Sequence, residues 1–191
     1  MQERRTRLLL EIALTIALAA VLSMFTIWRM PQGGSVSLSM LPLFVLAFRR
    51  GLLPGLAAGA LYGLVDLLVN PFIVHWVQLL LDYPVAYMLV GLSGAVSGAL
   101  HRSLRARDTR RTALLIGVGV ILGAAGRYVA HFLSGLVFFG HFAPEGQPVW
   151  LYSAIYNLYV PISAVVCFAA AVFIVHALSG ILPVSDERQF S

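Results

Sequence analysis

Residues 8–28 read LLLEIALTIALAAVLSMFTIW, twenty-one positions with one charged side chain, Glu11. An α-helix needs about 20 apolar residues to cross a hydrocarbon core of about 30 Å, so this stretch is a membrane span. The preceding basic residues Arg4, Arg5 and Arg7 resemble the start of a signal peptide. The apolar run is too long for one, and no small-residue cleavage site follows it. The span is expected to stay.

The rest of the chain repeats the pattern. Apolar segments follow at 36–48, 52–69, 73–100, 112–139 and 151–182. Over 191 residues, 60% are hydrophobic and 11% charged, with a mean hydropathy of +0.88. A soluble domain has about 45–50% apolar and about 25% charged residues, and so small a globule cannot hide the excess. The expected fold is an all-α integral membrane protein, a single compact bundle of six transmembrane helices in the lipid bilayer. Segment 36–48 is short, so it is either a tilted helix or a re-entrant piece. Residues 101–111, with five arginines, form the one plainly soluble loop.

Charge sets the orientation. All 13 basic residues are arginine. With both termini cytoplasmic, six crossings place 11 of the 13 arginines inside, as the positive-inside rule requires. Only Arg29, at the far end of the first span, and Arg127, within the fifth, lie elsewhere. The expected location is the bacterial cytoplasmic membrane.

Composition also excludes functions. A chain without lysine has no conventional P-loop and no lysine Schiff base, so any ATP-driven work needs another subunit. Cys167 is the only cysteine, which excludes an intrachain disulfide and the multi-cysteine zinc patterns. No Gly-x-Ser-x-Gly or His-Glu-x-x-His motif occurs. No metal, cofactor or nucleic acid is expected.

Ionisable groups inside spans are expensive and default to functional candidates. They are Asp66, Asp82, Arg127 and His131, the last two sharing a helix face at a spacing of four. They read either as ion pairs joining helices or as a charged cavity. Tyr152, Tyr156, Asn157 and Tyr159 open the sixth segment, and Phe138, Phe139, His141 and Phe142 close the fifth. Tyr159 reads as interfacial belt; for the others belt and cavity wall stay open. Asp82, Arg127, His131, Phe139, Tyr152 and Asn157 fall at one depth, near the outer face. A pocket of that make-up suits a flat, partly cationic heterocycle, because aromatic faces stack on it and attract its charge. In the first span Ala13 and Ala17 place small side chains four apart, spacing that lets another helix approach closely.

Taken together in order, six stretches resemble a known family. They are Glu11-Ile-Ala-Leu-Thr-Ile-Ala17, Arg49-Arg-Gly-Leu52, Gly59-Ala-Leu-Tyr-Gly63, Gln78-Leu-Leu-Leu-Asp-Tyr83, Arg127-Tyr-Val-Ala-His-Phe132 and Tyr152-Ser-Ala-Ile-Tyr-Asn157. The chain is similar over nearly its whole length to the thiamine-specific S-components (ThiT type) of energy-coupling factor (ECF) transporters. The resemblance implies a six-helix protein that binds thiamine in an outward-facing pocket. It implies as partners a transmembrane coupling protein and two ATPase subunits, with Ala13 and Ala17 on the docking face. Asp82 stands where the family usually has Glu, Arg127 where it has Lys, Phe139 where it has a stacking Trp, and Tyr62 where it has Trp. His131, Tyr152 and Asn157 match directly. The resemblance assigns all seven to substrate binding, with Phe139 and His131 sandwiching the aminopyrimidine ring. A family Trp in the first outer loop has no counterpart among Gly33, Gly34 and Ser35. Two alternatives stay open: an S-component for a thiamine precursor or another small vitamin, and an intramembrane enzyme using Asp82 and His131.

Overall fold

The computed structural model describes residues 2–177. Six helical segments follow one another: α1 (Gln2–Met24), α2 (Met40–Arg50), α3 (Leu52–Val69), α4 (Trp76–Arg105), α5 (Thr109–Phe138) and α6 (Val149–Ala177). All but α2 are long and apolar enough to cross a membrane. The end of the sixth expected segment, 178–182, and Arg188 lie outside the described residues.

The first correction falls on residues 26–37. The first helix stops at Met24, and its expected last turn is instead strand β1 (Thr26–Arg29), paired antiparallel with β2 (Ser35–Ser37). Thr, Ile and Trp favour the pleated backbone, and Pro31-Gln32-Gly33-Gly34 supplies the reversal, with φ of 84° and 85° at the two glycines. Only glycine fits at 34, since a Cβ there would sit 2.6 Å from the Tyr159 ring. β2 then leads into α2, whose 11 residues cover only about 17 Å at 1.5 Å per residue. Strand and short helix together make the return crossing. Non-helical backbone is tolerated at this depth where protein surrounds it; Val36, Ser37 and Ser39, which lead into α2, are all buried.

α3 and α4 pack backbone to backbone. Gly55, Gly59 and Gly63 recur every four residues along α3, and an added Cβ at Gly59 or Gly63 would strike the carbonyl of Tyr87 or Tyr83. Such small-residue faces replace the hydrophobic effect as the means of helix association in lipid. Within α4, residues Leu81–Val85 widen to a π-turn. Pro84 is the cause, for its ring would crowd the carbonyl four residues earlier in a regular helix. Asp82 sits on this widened turn. α6 breaks between Tyr156 and Tyr159, with Pro161 in the first turn of its second piece, where the missing N–H costs least.

The two ends of the bundle differ in chemistry. Trp28, Trp76 and Trp150 stand exposed at one end, an interfacial aromatic girdle. The arginines gather at the other. There Arg49 and Arg50 both grip Glu11 of α1, at 2.6–3.1 Å. The expected soluble loop at 101–111 is not one. α4 runs on to Arg105 and α5 begins at Thr109, leaving three residues between them. Arginine is a good helix former, and Asp108 caps α5 by accepting from the Arg111 amide at 3.0 Å.

Candidate ligand-binding pocket

A cavity of about 330 Å³ opens at the tryptophan end, between the β1–β2 turn, the end of α3, the start of α4, α5 and the start of α6. Asp82 lies in its wall and accepts from three donors. The Gln78 amide donates at 2.7 Å and the Ser134 hydroxyl at 2.9 Å, both to Oδ2, while His131 Nδ1 lies 2.9 Å from Oδ1. Arg127 decides the histidine tautomer. Its Nε–H donates to His131 Nε2 at 3.2 Å, so Nε2 is an acceptor and the ring proton sits on Nδ1, aimed at Asp82.

Arg127 is itself held. A second guanidinium nitrogen donates to the Tyr87 hydroxyl at 3.0 Å, and the guanidinium carbon lies 4.2 Å from the Tyr87 ring centroid. A buried arginine needs this combination of hydrogen bonds and ring face, because desolvation without partners is costly. Asn157 donates to the carbonyls of Ser153 at 2.9 Å and His131 at 3.3 Å. That spends its donors and leaves its amide oxygen as the group it offers a ligand.

The rim is pinned by tyrosines. Tyr156 Oη accepts from the Gln32 amide and donates to the Gly33 carbonyl, so α6 anchors the β-turn. Tyr83 Oη does the same for residues 70–72, accepting from the Phe72 amide and donating to the Asn70 carbonyl. Gln78, 1% exposed, adds a third tie by donating to the Phe72 carbonyl and accepting from the Val74 amide.

Of the seven residues expected in the site, Asp82, Arg127, His131, Phe139, Tyr152 and Asn157 line the cavity. Tyr62 does not. It is fully buried one layer behind, edge-on to Tyr87 with centroids 4.6 Å apart, its hydroxyl 3.4 Å from Asp66. The resemblance assigns it to substrate binding, but its side chain packs into the core. Tyr159, expected in the interfacial belt, is 5% exposed and lines the cavity with its ring 5.8 Å from His131. Phe139 stacks against Phe72 at 6.1 Å and Phe142 at 6.2 Å. Sequence reasoning missed Phe72, Gln78, Tyr87, Ser134 and the Arg29–Ser35 turn. Gln78 and Ser134 had a signal, being four before Asp82 and three after His131 on the same helix faces.

The chain as a whole is similar to known proteins. The thiamine transporter protein family (Thia_YuaJ) matches residues 9–182. The chain belongs to that family. It is 41% identical to the thiamine transporter ThiT of Bacillus subtilis (strain 168) over 170 residues, 87% of this chain and 88% of the relative. It is 32% identical over 160 residues to the ThiT of Lacticaseibacillus paracasei, covering 82% of this chain and 80% of the relative. A solved structure of ThiT from Listeria monocytogenes superposes with a TM-score of 0.81 at 29% identity, over 94% of this chain and 97% of that one. The chain is therefore a multi-pass cell-membrane protein with a role in transport rather than catalysis.

Proposed function

We propose that this protein is the substrate-binding S-component of an ECF-type vitamin transporter and that it captures thiamine in the α3–α6 pocket. The observation that carries the reading is Asp82, a carboxylate fixed by Gln78, Ser134 and His131 in a cavity walled by aromatic rings. Thiamine combines a thiazolium cation with an aminopyrimidine. Ring faces favour both, and Asp82 with the amide oxygen of Asn157 can accept from the amino group or face the cation. Phe139, beside Phe72, offers a stacking surface for one ring.

Orientation and partners belong to the same reading. Arginines crowd the end away from the pocket, which supports a pocket facing outward and a cytoplasmic N-terminus. A chain with no P-loop lysine leaves ATP hydrolysis to two ATPase subunits coupled through a transmembrane partner. Ala13 and Ala17 are exposed on α1 and offer that partner a small-residue face.

Titrating thiamine into the purified protein while following tryptophan fluorescence tests the ligand, since all three tryptophans lie at the pocket end. Tight one-to-one binding is expected. A folded sample that ignores thiamine but binds hydroxymethylpyrimidine or another vitamin would move the assignment to that ligand.

A further inference from the structure

We propose that the end of the bundle opposite the pocket is a binding surface for anionic phospholipid headgroups, centred on the turn between α4 and α5. This inference does not depend on the transported substrate.

Charge is the first observation. Among the described residues, that end carries Arg4, Arg5, Arg7, Arg49, Arg50 and the five arginines of 102–111, against Glu3, Glu11 and Asp108. The pocket half carries two arginines against Asp66, Asp82 and Glu145. Pairing is the second. Arg49 and Arg50 share Glu11, whereas no side-chain hydrogen bond or ion pair among the described residues engages Arg105, Arg107, Arg110 or Arg111, and all four are exposed. The turn's one carboxylate, Asp108, is occupied in capping α5.

The third observation is rigidity. Ser103 Oγ donates to the Asp108 carbonyl at 3.1 Å and meets the Thr112 hydroxyl at 2.9 Å. The Asp108 amide returns to the Ser103 carbonyl at 3.2 Å. Arg107 takes a left-handed φ of 54° to close the reversal. Four unpaired guanidiniums therefore project from a stapled turn, and little backbone entropy is lost when they meet a ligand.

Depth identifies the ligand. Trp76 marks one membrane interface, and at 1.5 Å per residue Arg105 lies about 43 Å farther along α4. A bilayer with its headgroups is about 40–45 Å thick, so the turn falls in the opposite headgroup layer. Guanidiniums and lipid phosphates match in charge and in bidentate geometry there. Charges serving only to orient the chain on insertion need neither a fixed turn nor open donors.

The test uses the full chain in an uncharged detergent, titrated with short-chain phosphatidylglycerol, phosphatidylcholine or glycerol phosphate while thermal unfolding is followed. Phosphatidylglycerol should raise Tm, less so at high salt, and phosphatidylcholine should not. In R105Q/R107Q/R110Q/R111Q the rise should vanish, with affinity falling about fivefold per arginine removed. Circular dichroism and a monodisperse elution profile establish that the variant is folded. If it is not, R105Q/R107Q and R110Q/R111Q are compared separately, each expected to lose part of the response. The proposal is overturned if phosphatidylcholine stabilises equally or if the folded variants respond as wild type does. Glycerol phosphate matching the lipid would also overturn it, as that result describes a soluble-anion site.

Discussion

Asp82 Oδ1 and His131 Nδ1 meet at 2.9 Å across the α4–α5 interface, and the geometry of Arg127 makes the histidine the donor. Asp82 is thus an acceptor whose position three neighbours enforce. Hydrogen bonds to charged groups are worth about 1.5–3 kcal/mol each. Asp82→Ala is therefore expected to weaken thiamine binding at least about tenfold, and Asn157→Ala to do so by removing the amide oxygen. Calorimetric titration of both variants checks this, with elution profile as the test of folding. Wild-type affinity in both would dismiss the pocket assignment.

Tyr87 lines the cavity, and its hydroxyl acts there by holding Arg127. Its hydroxyl receives the guanidinium and its ring lies beneath it, so Tyr87→Phe keeps the ring and deletes the acceptor. A lysine ammonium cannot reproduce the bidentate span from His131 to Tyr87. The loss of thiamine affinity on Tyr87→Phe should accordingly be severalfold beside Arg127 and much smaller in an Arg127→Lys background. The coupling in this double-mutant cycle should reach about 1 kcal/mol. Strict additivity would show that Tyr87 merely fills space.

Tyr62 makes the opposite prediction. It touches the site through the edge of Tyr87 and a long 3.4 Å contact to Asp66. Tyr62→Phe keeps the packed volume and forfeits the contacts of one buried hydroxyl, to Asp66, Ser23 and Ser39, a cost of about 1–3 kcal/mol that falls on the fold rather than on the pocket. Thiamine affinity should stay within about threefold of wild type in the same titration. A loss of a hundredfold would return Tyr62 to the binding surface.

These contrasts show where the sequence is informative. Hydropathy locates every long span because lipid imposes a minimum apolar length on all of them. Depth is equally legible, since Asp82, Arg127, His131 and Asn157 are polar groups that only a cavity or a pair can house. Direction is not legible. Whether Tyr62 or Tyr159 reaches the cavity depends on the break at Asn157 and on how closely Gly59 and Gly63 let α4 approach α3. The π-turn at Leu81–Val85 re-aims Asp82 by a local change that hydropathy does not register. The β1–β2 turn was hidden for a related reason. Thr26, Ile27 and Trp28 extend the apolar run of α1 and differ from it only in their preference for pleated backbone.

The last prediction concerns α1. Only 17% of its apolar window is buried, against 33–39% in the other spans, so it carries the most surface left for lipid or a partner. Ile12, Thr15, Ala19 and Ser23 face the bundle, while Ala13 and Ala17 lie on the exposed side among Leu10, Leu14 and Leu18. Glu11, held by Arg49 and Arg50, ties the helix to α2, so this outer face is presented by the body of the protein as one piece. Replacing Ala13 and Ala17 with Phe fills the shallow face without touching the core or the pocket. Thiamine binding should survive within about twofold, while uptake into cells and co-purification with a coupling protein should both be lost. Full uptake by the double variant would place the docking surface on another helix.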